Sequence, residues 1–237
     1  MTAALPRAIA ALWGIEESGR RGPKRTLSVV GIGEAAVRIA DAEGLSAVSM
    51  SSVARELGTT AMALYRYVDS RKELEAVMVD VAMARPPEST AGASWRQQLF
   101  DWAWDEARTM AGHPWVLEVR PGSPPVSPNL VAWTDAGMQI VLRSGLGEQD
   151  AATSLLLVDG YVRSQLMLGL QFSDVDATRH WGDQLRQVVN ADELPGLAQV
   201  LASGALDDGD PPGEFPGADF EFGLAVLLDG IEALASR

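Results

Sequence analysis

Residues 49–72, SMSSVARELGTTAMALYRYVDSRK, constrain this chain more than any other stretch. Ser49 is placed to cap a helix by accepting from a free N–H of its first turn. Val53, Ala54 and Leu57 then share one apolar face at i, i+1 and i+4. Gly58 follows where a helix ends in a left-handed residue. Thr59 and Thr60 are the next cap candidates, and from Ala61 the chain reads as helical again with Leu64 and Val68 turned inward. Two short helices joined by a glycine-containing turn are the signature of a helix-turn-helix, whose second helix enters the DNA major groove. Ser70 and Glu73 predict a capping box for the next helix. Arg71 falls at that helix's N-terminal end, where the dipole disfavours a cation, so it is better used on a phosphate.

The flanking sequence extends this into a helical head. Ser28 is a plausible cap for a helix with Ile32, Ala36, Ile39 and Ala40 inward and Gly44 at its end. A fourth helix is expected from Arg71 to about Ala84, with Leu74, Val77, Met78 and Val81 on one face, stopped by Pro86-Pro87. Residues 1–19 carry a short apolar segment of undecided structure. Arg20, Arg21, Lys24 and Arg25 follow with no acid among them, and this basic run reads as an arm reaching phosphates or a minor groove.

Ile32–Ala40, Glu43-Gly44-Leu45, Val53–Gly58 and Ala63-Leu64-Tyr65-Arg66-Tyr67 with Ser70–Leu74 together resemble the N-terminal domain of the tetracycline-repressor (TetR) family of bacterial regulators. Valine at 68 and arginine at 71 depart from that family's usual phenylalanine and lysine. The resemblance covers about residues 28–83. It implies an all-α protein with an N-terminal three-helix DNA-binding domain and a larger helical domain for ligand binding and dimerisation. The division expected is a basic arm at 1–27, the helix-turn-helix domain at 28–86 and the effector and dimer domain at 94–237. On this reading Tyr65, Tyr67 and Arg71 hold phosphates. Ala61, Met62, Ala63 and Arg66 face base edges, with Ser49, Ser51 and Thr60 beside them.

A net charge of −13 is unexpected for a DNA-binding chain, but its distribution resolves this. Residues 1–85 hold 11 Lys+Arg against 10 Asp+Glu, whereas residues 86–237 hold 8 against 22. The acid therefore belongs to the second part, where it keeps that part away from phosphate. Cysteine is absent, which removes disulfides and thiolate chemistry. No apolar run approaches the length of a membrane span, and a cytoplasmic protein without a membrane role is expected.

The second part reads as helices over 95–111, a short one opened by Pro114, then about 129–144, 149–170, a weaker pair across 178–202, and 219–235. The helix at 149–170 is apolar nearly all round, which predicts burial on more than one side. The last helix is expected to be capped by Asp219, with Phe220, Leu224, Leu227, Ile231 and Leu234 forming a seam for another helix. In the resembled family such a pair of helices joins its twin in a second subunit. The resemblance thus implies a homodimer, and Leu156, Leu157, Tyr161, Phe220, Leu224, Leu227 and Ile231 are the candidate interface residues. It also implies an effector cavity among the helices of 95–170. Trp102, Met110, His113, Trp115, Trp133, Met138 and Met167 are the candidate contacts, since aromatic and Met side chains line such pockets.

No catalytic constellation, metal-ligand spacing or cofactor is expected: two histidines lack H-E-x-x-H spacing, and no P-loop or nucleophile elbow occurs. A ligand-released repressor on a pseudo-palindromic operator is the function these observations favour. Two rivals stand beside it. One is a dinucleotide-dependent enzyme using Gly31-x-Gly33-x-x-Ala36, which would need a preceding strand. The other is a helical protein-interaction module.

Overall fold

The computed structural model describes residues 4–15, 27–120, 124–171, 180–206 and 217–237. Among these, every regular element is a helix. Hydroxyl caps set the starts in the first part. Ser28 accepts from Gly31 N–H at 3.0 Å to open α2 (Val29–Glu43), and Gly44, at φ 83°, ends it. Ser49 and Ser52 form a reciprocal capping box at the start of α3 (Met50–Glu56). Gly58 turns the chain at φ 62°, and Thr60 accepts from Ala63 N–H to open α4 (Ala61–Leu64). Ser70 accepts from Glu73 N–H at 3.1 Å to open α5 (Arg71–Met83). The Glu73 side chain does not reach back to Ser70 as a capping box would. It is buried, and its two oxygens take the N–H groups of Ala8 and Asp69.

That bond pins an element the sequence left undecided, α1 (Arg7–Leu12). Ala8 and Ile9 are buried, and Arg7 pairs with Asp69 and donates to the Arg66 carbonyl at 3.0 Å. The first part therefore closes on Ile32, Ala36, Val53, Leu64, Val68, Leu74, Val77 and Met78, all fully or almost fully buried. Gly33 is explained by the same packing. A Cβ there would meet Val77 Cγ1 at 2.8 Å and Val81 Cγ2 at 2.9 Å, so the glycine lets α2 and α5 approach closely. The strand that a dinucleotide fingerprint requires does not precede it: Val29 and Val30 are the first residues of α2. The nucleotide reading of Gly31, Gly33 and Ala36 is thereby corrected.

The second part comprises α6 (Trp95–Gly112), a 3-10 turn (Pro114–Glu118), α7 (Pro128–Leu142), α8 (Glu148–Gln171), α9 (Trp181–Val188), α10 (Pro195–Ala202) and α11 (Ala218–Ala235). Its core joins Leu99, Met110, Ile140, Val158, Phe220, Leu224 and Leu228. Two expectations change here. Along α8 one stripe is buried (Ala151, Ser154, Leu155, Val158, Val162, Leu166), while Leu156, Leu157, Leu168 and Leu170 are exposed. The last helix is preceded by Gly217, with Asp219 already inside its first turn.

Hydrogen bonds at α5 tie α7 to the first part. Asp80, buried in α5, accepts from Asn129 N–H at 2.8 Å and so caps α7 from another element. Trp133 Nε1 donates to the carbonyls of Met83 and Ala84 at the end of α5. Trp102 Nε1 in turn donates to the Trp133 carbonyl at 3.1 Å.

Candidate nucleic-acid interface and ligand cavity

The face of α4 and the turn after it is built by subtraction. Leu64 at the end of α4 and Val68 in the turn after it are fully buried, and this leaves Met62, Tyr65 and Arg66 on the outside. Met62 is 76% exposed and Tyr65 46% exposed, with Arg66 exposed beside them. Ala61 and Ala63 are half-buried and keep the surface low enough for close approach. Tyr67 is half-buried and packs against the head core, so its ring is shared between interior and surface. Ser51 is exposed on α3. The Ser49 and Thr60 hydroxyls are engaged in caps, and each accepts a backbone N–H of its own helix.

Arg71 is exposed and held in place. Its Nε donates to Glu75 Oε1 at 2.8 Å and its Nη2 to the Leu45 carbonyl at 3.3 Å. The guanidinium is thus oriented at the start of α5, toward Glu75 and the turn after α2. Arg20, Arg21, Lys24 and Arg25 lie outside the described residues.

Behind α5 lies a cavity of about 1010 Å3. Apolar walls come from Val79 and Met83 of α5, Trp102 of α6, Trp133 and Met138 of α7, and Leu155 of α8. The candidate contacts Trp102, Trp133, Met138 and Met167 line it. Three others are elsewhere. Met110 is fully buried in the second core, because it faces the interior of the bundle. Trp115 packs into the head core, and its Nε1 donates to Asp41 Oδ1. His113 is 2.8 Å from the same oxygen through Nδ1. Both are therefore fastened to α2, which corrects their assignment to the ligand.

Several wall residues were missed. Pro6 just before α1 and Ile9 within it, Pro124 to Ser127 before α7, and Glu106 of α6 also line the cavity. Distant segments give no local signal. Glu106 did leave one: with Trp102 and Met110 it shares a face at i+4 spacing, an acid inside an otherwise apolar stripe. It is buried, and burial, reinforced by the charge of Asp159, pushes its carboxyl well above the ordinary glutamate range.

The interface candidates divide. Phe220, Leu224 and Ile231 are buried against their own chain's helices, and Leu227 is half-buried. Tyr161 stacks on Phe220, and its hydroxyl donates to the Phe220 carbonyl at 3.0 Å, tying α8 to α11. Phe220, Leu224 and Ile231 are thus intrachain core residues, which corrects their assignment to a subunit interface, while Tyr161 is half-buried. Leu156 and Leu157 remain exposed, and Phe222 at 73% and Val226 at 52% form a second apolar strip on α11.

Residues 32–76 match the family described as bacterial regulatory proteins, tetR family. Residues 87–235 match the tetracyclin repressor-like C-terminal domain. The HTH-type transcriptional repressor DrrR1 of Streptomyces coeruleorubidus is 35% identical over 98% of this chain and 87% of its own length. Apo ActR from Streptomyces coelicolor superposes with a TM-score of 0.75 at 26% identity, covering 90% of this chain and 99% of that one. ActR in complex with actinorhodin superposes at 0.71 with 26% identity, covering 85% and 93%.

Proposed function

The chain belongs to the tetracycline-repressor family of bacterial regulators, and from that premise we propose that it is a repressor released from its operator by a small molecule bound behind α5. The observation that carries this reading is that α5 serves two structures at once. Its first turn abuts the DNA-facing surface, and its inner face is a wall of the cavity. A ligand that binds better to one position of α5 shifts the population toward that position, and with it the placement of α4. ActR is seen with actinorhodin, which supports a small-molecule occupant here.

We assign Met62, Ala61, Ala63 and Arg66 to base edges, and Tyr65, Tyr67 and Arg71 to phosphates, with Ser49, Ser51 and Thr60 on the same surface. Arg20, Arg21, Lys24 and Arg25 extend the contact as a basic arm. The domain division follows as 28–86 for the DNA-binding head and 94–237 for the ligand and dimer part. The homodimer forms through the exposed strips of α8 and α11, which include Leu157, Phe222 and Val226. Two heads about 34–36 Å apart then read two half-sites on one face of a duplex. A DNA target places the protein in the cytoplasm.

The test is fluorescence anisotropy with the DNA upstream of the protein's own gene. Binding should be tight at about 50 mM salt and fall steeply toward about 200 mM. Absence of any shift at low salt would favour the protein-interaction reading instead.

A further inference from the structure

Each carboxylate lining the cavity is held by a close cation or by backbone N–H groups except Glu106, whose polar neighbours are Asp159 and, at 4.0 Å, Arg163. Asp69 pairs with Arg7, Glu73 takes two backbone N–H groups, and Glu75 takes Arg71. Asp159 holds Arg163 Nε with both oxygens, at 3.0 and 3.1 Å. Glu106 is 3% exposed, and its Oε2 has no hydrogen-bond partner. Its Oε1 lies 4.0 Å from Arg163 Nη2, too far for a hydrogen bond, and that guanidinium already serves Asp159. Two carboxylates thus share one guanidinium at the end of an apolar chamber. An orphaned buried acid oxygen is costly, and such groups concentrate at functional sites.

We propose that the ligand of this cavity is an aromatic cation, a planar apolar body bearing a protonated nitrogen, and that the Glu106 carboxylate accepts the N–H of that nitrogen. The aromatic body suits Trp102, Trp133, Met83 and Met138. The positive charge balances the second carboxylate, because Glu106, Asp159 and Arg163 together have room for one more cation. Burial, with Asp159 beside it, pushes the Glu106 carboxyl upward in the empty cavity, and an arriving cation favours the carboxylate, so the proton goes to solvent as the carboxylate–ammonium pair forms. The other charged groups of the cavity do not compete: Asp69, Glu73 and Glu75 are occupied as above, and Lys72 and Arg120 would repel the nitrogen. A hydrogen bond to a charged group in a desolvated site is about twice as strong as a neutral one, which favours the cation over a neutral hydroxyl.

The proposal rests on the cavity being the effector site, and its test separates the two. Binding of 9-aminoacridine, a cation near neutral pH, and of neutral acridine is measured by calorimetry on the full chain, in buffers of differing ionisation enthalpy. The wild type should prefer 9-aminoacridine by about tenfold or more, with release of about one proton. Glu106→Gln, isosteric and checked for folding by its thermal melt, should bind acridine as before and lose both the preference and the proton release. Equal affinity for the two probes, no binding of either, or a preference that survives in Glu106→Gln overturns the proposal. DNA binding is measured separately without probe; its failure would sink the regulator reading and leave the cation site standing.

Discussion

Trp115 Nε1 lies 2.7 Å from Asp41 Oδ1, and this bond crosses from the turn after α6 to the last part of α2. With Val116, the Trp115 ring completes the core of the head rather than that of the helices it is joined to in sequence. The effector part is therefore plugged into the DNA-binding part. Asp41→Ala should remove acceptors from both Trp115 and His113 and leave the indole N–H unpaired. The expected loss is about 1–3 kcal/mol, read as a shift of the urea midpoint. An unchanged midpoint would mean that the plug contributes nothing.

Arg66 and Arg71 should fail differently. Arg71 is oriented by Glu75 and the Leu45 carbonyl and is assigned to a phosphate. Arg71→Ala should weaken binding on all sequences and lower the salt slope by about one. Arg66→Ala should relax preference at one base position by ~1–3 kcal/mol. Anisotropy on operator variants at several salt concentrations distinguishes them, and parallel losses would contradict the division of roles.

Ala84 closes α5 at φ 48°, ψ −170°, a conformation that suits glycine. Strain of this kind costs about 1–3 kcal/mol, whereas the extra freedom of glycine in the unfolded chain costs ~0.4–1 kcal/mol. Strain is the larger effect, so Ala84→Gly should stabilise the protein by about 1 kcal/mol. A lower denaturation midpoint in the variant would show that Ala84 is unstrained.

Glu106 also predicts a pH dependence. Its folded pKa is raised, first by burial and then by Asp159. Between the ordinary glutamate range and the raised value, the folded state binds one more proton than the unfolded state. Stability from this group is therefore full below that interval and is lost as pH rises through it. Glu106→Gln should flatten that part of the profile and be relatively more stable at neutral pH. Parallel wild-type and variant profiles would refute the assignment.

The two faces of α11 separate folding from assembly. Phe220→Ala should cost about 3–5 kcal/mol of stability, because the ring is buried in its own chain. Phe222→Asp should leave the monomer folded and shift light-scattering mass from dimer to monomer. A dimer surviving Phe222→Asp would put the interface elsewhere.

How much was readable follows from which forces are local. Caps are: Ser28, Ser49, Thr60 and Ser70 each bond a residue three positions ahead, so the helix starts of the head could be read directly. The exposure of Met62, Tyr65 and Arg66 follows from Leu64 and Val68 taking the inner side of α4 and the turn after it. In α11, by contrast, apolar residues stand on both sides. The spacing of Phe220, Leu224, Leu227 and Ile231 is as regular as that of Phe222 and Val226, and periodicity has no way to say which side meets its own chain. Tertiary packing settled it, burying Leu228 where the heptad favoured Leu227.

The sequence by itself determined an all-helical chain and which residues of α4 and its turn face outward, because both depend on hydrogen bonds and apolar spacing within a few residues. Only the tertiary structure decided the cavity, whose walls come from α1, α5, α6, α7 and α8. It also decided that Trp115 belongs to the head and Glu106 to the wall of that cavity. Burial is a property of what surrounds a side chain, and here the surroundings are supplied by residues tens of positions away.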